Sequence, residues 1–419
     1  MKLAVIRAID HLLGRMFCFL LIPLVRGLGK VLRRDHTISN ANVRTIAVAK
    51  YYGLGSITHA MPLLKALKET FPQAKVVFVT RKGNERLLSV IPWVDETLVI
   101  DDRSLAGLVS TNLSLLRAFR RLRIDLFFDL ELFSAYGALV SLFSMARNRF
   151  GFFCSKDTDY KAWIYTHLMF YNFQMPVRLC YLQLGRMAGV PASASTDLLP
   201  YDIPDAVCAS AVRRLAAVAP DKGNGFLAVN VNASELSYAR RWPLDSFAEV
   251  VRHFASLQYH ILLVGAPSEH GYVQGVIDRV ADPAITPYIH NVAGLFPLDE
   301  FLAMLPHCEA LLTNDTGIMN FGYAVNLPTV GIYGPNTPIR YHVDNGLHTA
   351  AYYETYCSPC IHHLDDSPCG DIADCIHSIT VEEVIGHLRD TLCKTERLPS
   401  SARSIPAGTV EPFGILRTR

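Results

Sequence analysis

The chain has 419 residues, half of them hydrophobic and 19% charged. That excludes a disordered protein and suits two Rossmann-sized domains better than one. A formal net charge of +2 gives no case for nucleic acid as a partner, but it hides an asymmetry: up to Asp35 there are seven Lys or Arg against two Asp.

The basic segment is also apolar. Arg15 and Arg26 bracket ten uncharged residues, Met16 to Val25, where a bilayer span needs roughly 20. No small-residue cleavage site follows, which argues against a signal peptide. Residues 1–42 read as a basic amphipathic segment in the interface of an anionic membrane, with Arg7, Arg26, Lys30, Arg33 and Arg34 toward the headgroups. The alternative is a helix packed on the protein's own body.

The first regular unit starts at Val43, opening a domain over 43–200. Thr45 to Ala49 is an apolar run of strand type, Gly53-Leu54-Gly55-Ser56 turns it, and His59 to Phe71 has helical spacing. Val76 to Val79 is the next strand, giving a βαβ unit and hence a parallel sheet with right-handed crossovers. Further strands are expected at Glu96–Ile100 and Leu126–Leu130, and a helix over Ser134–Ala146. The aromatic-rich stretch 150–190 shows no clear period. Two prolines in Leu198 to Pro204 mark a linker.

The second domain, 201–393, repeats the pattern. Strands are expected at Phe226–Val231, His260–Val264, Ala310–Thr313 and Thr329–Gly334, with a helix starting near Leu244. Residues 394–419 are rich in Pro, Ser, Arg and Gly and read as a disordered tail. Two Rossmann-like halves on a short linker predict a cleft, with ligands at the carboxyl ends of the strands.

The chemistry-bearing segments fall at those ends. At Asn314-Asp315-Thr316-Gly317-Ile318-Met319-Asn320 a strand gives way to a helix. The free amides and dipole of a helix start favour phosphate, Thr316 adds a hydroxyl, and Gly317 permits close approach. An ordinary helix cap would use the same residue types. Asn232-Ala233-Ser234, with Arg240-Arg241-Trp242-Pro243 soon after, supplies a cation for a diphosphate leaving group. Gly265 to Glu269 offers a carboxylate for ribose or sugar hydroxyls, and Gly334-Pro335-Asn336-Thr337-Pro338 closes the last strand.

These pieces, together with Lys50 to Pro62 and its Gly-Leu-Gly, resemble glycosyltransferase family 9, the ADP-heptose:lipopolysaccharide heptosyltransferases. The likeness runs over roughly residues 43–392 in family order and spacing. It implies a GT-B fold, with acceptor on the N-terminal domain and nucleotide sugar on the C-terminal one. It also implies inversion at the anomeric carbon without a catalytic metal, and a place at the cytoplasmic face of a bacterial inner membrane. Carried over by position, Arg240 resembles the phosphate-binding cation and Glu269 a donor-binding carboxylate. Asp315, Thr316 and Gly317 resemble the diphosphate loop, with Asn232, Ser234 and Asn320 beside it. Lys50, Gly53 and Gly55 belong to the acceptor side. The implied partners are a nucleotide diphosphate sugar, ADP-heptose first, and a glycan or lipid-linked acceptor.

Two positions depart from the family. Ser56 stands where the family commonly has Asp as general base, and Asn320 stands where it commonly has His. Three readings compete. Another group serves as base, namely His59, Asp129 or Glu131. Or the acceptor differs and chemistry leans on the leaving group. Or the protein binds its ligand without transferring sugar.

Cys357, Cys360, Cys369 and Cys375 are spaced C-x2-C-x8-C-x5-C, with His362, His363, Asp365 and Asp366 among them. Four thiolates at that density suit a structural zinc or iron, while reduced thiols without metal are the alternative. The other cysteines read as small core residues of a chain in a reducing compartment.

Overall fold

The structure is a computed structural model. It describes residues 10–32, 36–38, 42–154, 156–221, 223–233, 238–361, 369 and 373–394. The chain divides into two compact units, Met1–Asp202 and Ile203–Arg419.

In the first unit, Thr45–Ala49, Lys75–Arg81, Glu96–Ile100, Leu126–Asp129, Asn148–Phe153 and His167–Phe170 form β1 to β6. All pairings are parallel, in the order β3-β2-β1-β4-β5-β6. Parallel strands covered on both faces bury every side chain, which is why β1 reads as the unbroken run Thr-Ile-Ala-Val-Ala. The helices are α1 (Arg15–Leu32), α2 (Leu54–Thr58), α3 (Met61–Thr70), α4 (Glu85–Leu88), α5 (Leu105–Leu122), α6 (Ala135–Phe143) and α7 (Val177–Arg186). Ser104 and Ser134 cap α5 and α6 by accepting from the N–H groups of Gly107 and Gly137, at 3.0 Å each. The helix expected over 59–71 is α3, starting at Met61, and the glycine turn before it forms a short helix of its own, α2.

In the second unit, Phe226–Asn230, His260–Leu263, Ile289–Asn291, Ala310–Asn314, Thr329–Tyr333 and His348–Tyr352 form β7 to β12. Their order is β12-β11-β10-β7-β8-β9, again all parallel. Read from the other edge, it is the order of the first sheet. The helices are α8 (Asp205–Val218), α9 (Leu244–Ser256), α10 (His270–Val280), α11 (Leu298–Met304), α12 (Gly317–Ala324), α13 (Pro338–Tyr341), α14 (Asp374–His377) and α15 (Val381–Lys394). Trp242 anchors the core beneath α9, its indole N–H donating to Ile379 O at 2.9 Å.

In a doubly wound sheet the crevice opens where the strand order reverses. That point lies between β1 and β4 in the first unit and between β7 and β10 in the second. It brings Lys50–Ser56 beside Asp129–Glu131, and Asn230–Asn232 beside Asn314–Thr316.

The N-terminal segment packs on its own unit. A Cβ on Gly14 would stand 2.8 Å from that of Ala135, and Asp10 accepts the Tyr136 N–H at 2.6 Å. Cys18 is enclosed with Ala135, Ala138, Tyr160 and Tyr165. No described helix is long and apolar enough to cross a membrane. Arg7, Arg33, Arg34, Ser234 and the tail 395–419 lie outside the described residues.

Candidate functional site

At the second switch point, three asparagines lock two strand ends together. Asn314 donates to Val231 O (3.0 Å) and Asn232 O (3.3 Å) and accepts the Trp242 N–H (3.1 Å). Asn230 donates to the hydroxyls of Thr313 and Thr316, both at 3.0 Å. Asn232 turns its own carbonyl arm onto the Ala233 N–H at 2.9 Å. Buried amides keep such geometry because an unmade bond there costs about 1–3 kcal/mol.

Asp315 faces inward. Its carboxylate accepts from Asn336 at 2.7 Å and lies 3.8 Å from Arg240, whose Nη1 also donates to Asp315 O at 2.7 Å. Burial pushes its pKa up, opposed by Arg240, the Asn336 hydrogen bond and Arg340. Asp315 thus holds Arg240 and the loop at the end of β11, with the buried Arg340 acting on its charge. Asn336 Oδ1 is buried without a hydrogen-bond partner among the described residues.

Thr316 and Gly317 are half-exposed at the start of α12. No side chain caps this helix, because the Thr316 hydroxyl is engaged by Asn230. The helix start therefore presents its amides, with two guanidinium groups beside Asp315, an arrangement that binds anions. Asn320 is buried and donates to Thr316 O at 2.9 Å. Glu269 accepts the Ala266 N–H at 2.7 Å at the end of β8.

The first switch point has the same plan with charged groups. Lys50 and Glu131 form a buried ion pair at 2.8 Å, and the other Glu131 oxygen accepts the N–H groups of Tyr51 (2.7 Å) and Tyr52 (3.0 Å). Burial raises the Glu131 pKa, but Lys50 and the two amides outweigh it, so the carboxyl lies below its ordinary value. Gly53 follows with φ of +83°, open to glycine, and a Cβ there would stand 3.2 Å from Ser56 Oγ. Gly55 is buried and Ser56 half-buried. His59 is fully buried at the end of α2, its N–H bound to Gly55 O at 3.0 Å.

Asp129 is also enclosed. It accepts from the Tyr165 hydroxyl and, at 2.9 Å, from the Glu131 N–H. Lys161, fully buried, donates to Glu131 O at 2.6 Å. Burial pushes the Asp129 pKa up to about 6 against the pull of Lys161 and Tyr165. The folded state therefore holds a proton here that the unfolded chain releases from about 3.8 upward. The stability this group contributes is complete below that value and is lost as pH rises through about 6. In the Asp129→Asn variant that loss should disappear. The slope of unfolding free energy against pH, from urea titrations between the two values, should move in the positive direction by up to ~1.4 kcal/mol per pH unit. An unchanged slope would refute the assignment.

Sequence reasoning missed Asn230, Arg340, Lys161 and Tyr165. Asn230 carried a signal, a polar residue ending an otherwise apolar buried strand. Lys161 and Tyr165 lie in the aromatic-rich stretch whose period was not readable.

The structural zinc or iron expected at Cys357, Cys360, Cys369 and Cys375 is not supported. Among the described residues no three His, Cys, Asp or Glu form a group that could hold a metal ion. Burial and neighbouring sulfurs raise the pKa of Cys360, and that of Cys375 to about 11. His362, His363, Asp365 and Asp366 lie outside the described residues.

The sequence profile of Glycosyltransferase family 9 (heptosyltransferase) matches residues 113–369. Lipopolysaccharide heptosyltransferase 2 of Escherichia coli strain K12 is 30% identical over 105 residues, which are 25% of this chain and 30% of that protein. The aligned part is thus under a third of the relative's length. Among solved structures, the E. coli ADP-heptose LPS heptosyltransferase II superposes with a TM-score of 0.68 at 20% identity, over 84% of this chain and 100% of that one. The E. coli heptosyltransferase WaaC with ADP-2-deoxy-2-fluoro heptose superposes with a TM-score of 0.56 at 16% identity, over 83% and 99%. At these identities the superpositions show a shared fold.

Proposed function

The chain belongs to glycosyltransferase family 9, the heptosyltransferase family, and on that premise we propose that it is an inverting transferase. It moves a heptose or related sugar from a nucleotide diphosphate donor, ADP-heptose first, to a lipopolysaccharide-type or other glycan acceptor. The observation that carries this reading is the half-exposed start of α12, uncapped and braced by Asp315, with Arg240 and Arg340 beside it. Two relatives' names support the donor, since one is an ADP-heptose transferase and another was solved with an ADP-heptose analogue.

In this reading the GT-B halves divide the work. In the second unit, Asn232, Glu269, Thr316, Gly317 and Asn320, with Ser234 of the sequence motif, are assigned to the nucleotide sugar. The first unit, with Lys50, Gly53 and Gly55, takes the acceptor. As the glycosidic bond breaks, charge grows on the leaving diphosphate, and the α12 amides and Arg240 stabilise it electrostatically. Positive protein groups fill that role without calling on a metal. The acceptor is lipid-linked, and the protein works at the inner face of the inner membrane.

The acceptor side supports a second reading, a sugar-nucleotide-binding protein without transfer. Of the candidate bases, His59 and Asp129 are sealed from solvent. Glu131, the one with a little surface, is held ionised by Lys50 and so is a weak base. Ser56, half-buried, is a poor base near neutral pH.

Calorimetric titration with ADP-heptose and other nucleotide diphosphate sugars, followed by transfer assays, tests both readings. In the first, the native chain transfers sugar. Tight binding with turnover appearing only in Ser56→Asp, a gain of at least about 100-fold, supports the second. Binding of no nucleotide sugar would sink both.

A further inference from the structure

We propose that one helical face of the first unit is a rigid docking surface for an anionic lipid bilayer. This deepens the membrane partner proposed above and rests on that reading for its purpose. The connections β3 to β4, β4 to β5 and β5 to β6 run in one direction along the sheet. Right-handed crossovers therefore place α5, α6 and the 3-10 turn Lys156–Trp163 on the same face. Helix α1 lies over α6 and that turn, mounted through Gly14, Cys18 and Asp10.

Having used one side for this packing, α1 is not polar on the other. Phe17, Leu20, Leu24 and Val31 recur at intervals of three, four and seven, forming one outward stripe 50–80% exposed. Helix α5 repeats the feature with Leu105, Val109 and Leu113, 49–71% exposed. Trp163, on the 3-10 turn and outside both helices, is 48% exposed. The opposite face of the sheet is different, since every apolar residue of α3 is buried. Apolar side chains exposed on three neighbouring elements of one face mark an interaction surface.

Charge identifies the occupant. Arg117 and Arg120 continue the α5 stripe by one turn, are exposed, and share a helix without a single Asp or Glu. Helix α1 carries Arg15, Arg26 and Lys30 and no acid in its sequence, and Asp10 just before it is turned inward onto Tyr136. An apolar face bordered by arginine suits acyl chains beneath anionic headgroups. Two copies face to face would bring like charges together.

Flotation of the full chain with phosphatidylcholine vesicles, with and without phosphatidylglycerol, tests this. Trp163 is the reporter, read by quenching with brominated acyl chains. The protein should float with the anionic vesicles, and its tryptophan emission should be quenched. That quenching should be absent in Trp163→Phe. The pair Leu20→Glu with Val109→Glu changes only exposed positions. It should keep its circular dichroism and lower the bound fraction at least about tenfold. Flotation without quenching at Trp163 would reduce the face to a simple α1 tether and overturn the proposal. Unchanged flotation of the double variant would overturn it too. So would absent flotation with a dimer in sedimentation, which assigns the face to a second copy. Because the readout needs no nucleotide, its failure is separate from a failure of the transferase reading.

Discussion

In the Lys50→Met variant the first unit should lose about 3–5 kcal/mol of stability, because Glu131 is left buried without the cation it pairs with. The amides of Tyr51 and Tyr52 still reach Glu131, but the largest pull holding its pKa below the ordinary value, that of Lys50, is gone. Glu131→Gln should cost a similar amount by stranding Lys50. The double variant Lys50→Met with Glu131→Leu should recover most of the loss, since apolar replacement of a whole buried pair is close to neutral. Urea titration followed by circular dichroism measures all three. Additive losses in the double variant would show that the two residues act independently. If Glu131 also organises the glycine loop, each single variant should lose acceptor-side function even where it remains folded.

Arg240→Met should weaken nucleotide-sugar binding by at least about 100-fold, near 3 kcal/mol, the scale of a charge-assisted hydrogen bond lost in a buried site. Asp315 then lacks its nearest cation, so its pKa, already raised by burial, should rise further and the carboxyl should take up a proton. Arg240→Lys should not rescue binding, because an ammonium lacks the planar, multi-donor guanidinium whose Nη1 donates to Asp315 O. Calorimetric titration with ADP-heptose decides it. A loss under about threefold in Arg240→Met would remove this residue from the donor site.

Much of the fold was legible because its signals are local. The strands at Glu96–Ile100 and Ala310–Asn314 are apolar runs ended by turn residues, and such runs state their own conformation. The strands left unread, β5, β6, β9 and β12, lie toward the sheet edges, are partly exposed, and include polar or glycine residues such as Asn148, Gly151, His290 and His348. Their pairing with a neighbour, which no local pattern states, makes them strands.

The site divides the same way. The sequence by itself determined that Lys50, Gly53, Asn232 and Asp315 stand at strand ends, since strand ends are marked by the residues that follow them. What those side chains do was decided only by tertiary structure. Lys50 and Glu131 are 81 residues apart, and Arg240 and Asp315 are 75 apart. The sheet's reversal of order brings each pair together. Asp315, read as a donor ligand, proved to be an inward brace, and His59 and Asp129, read as bases, proved to be enclosed. Titration and burial are properties of the surroundings a side chain acquires on folding, and those surroundings come from distant parts of the chain.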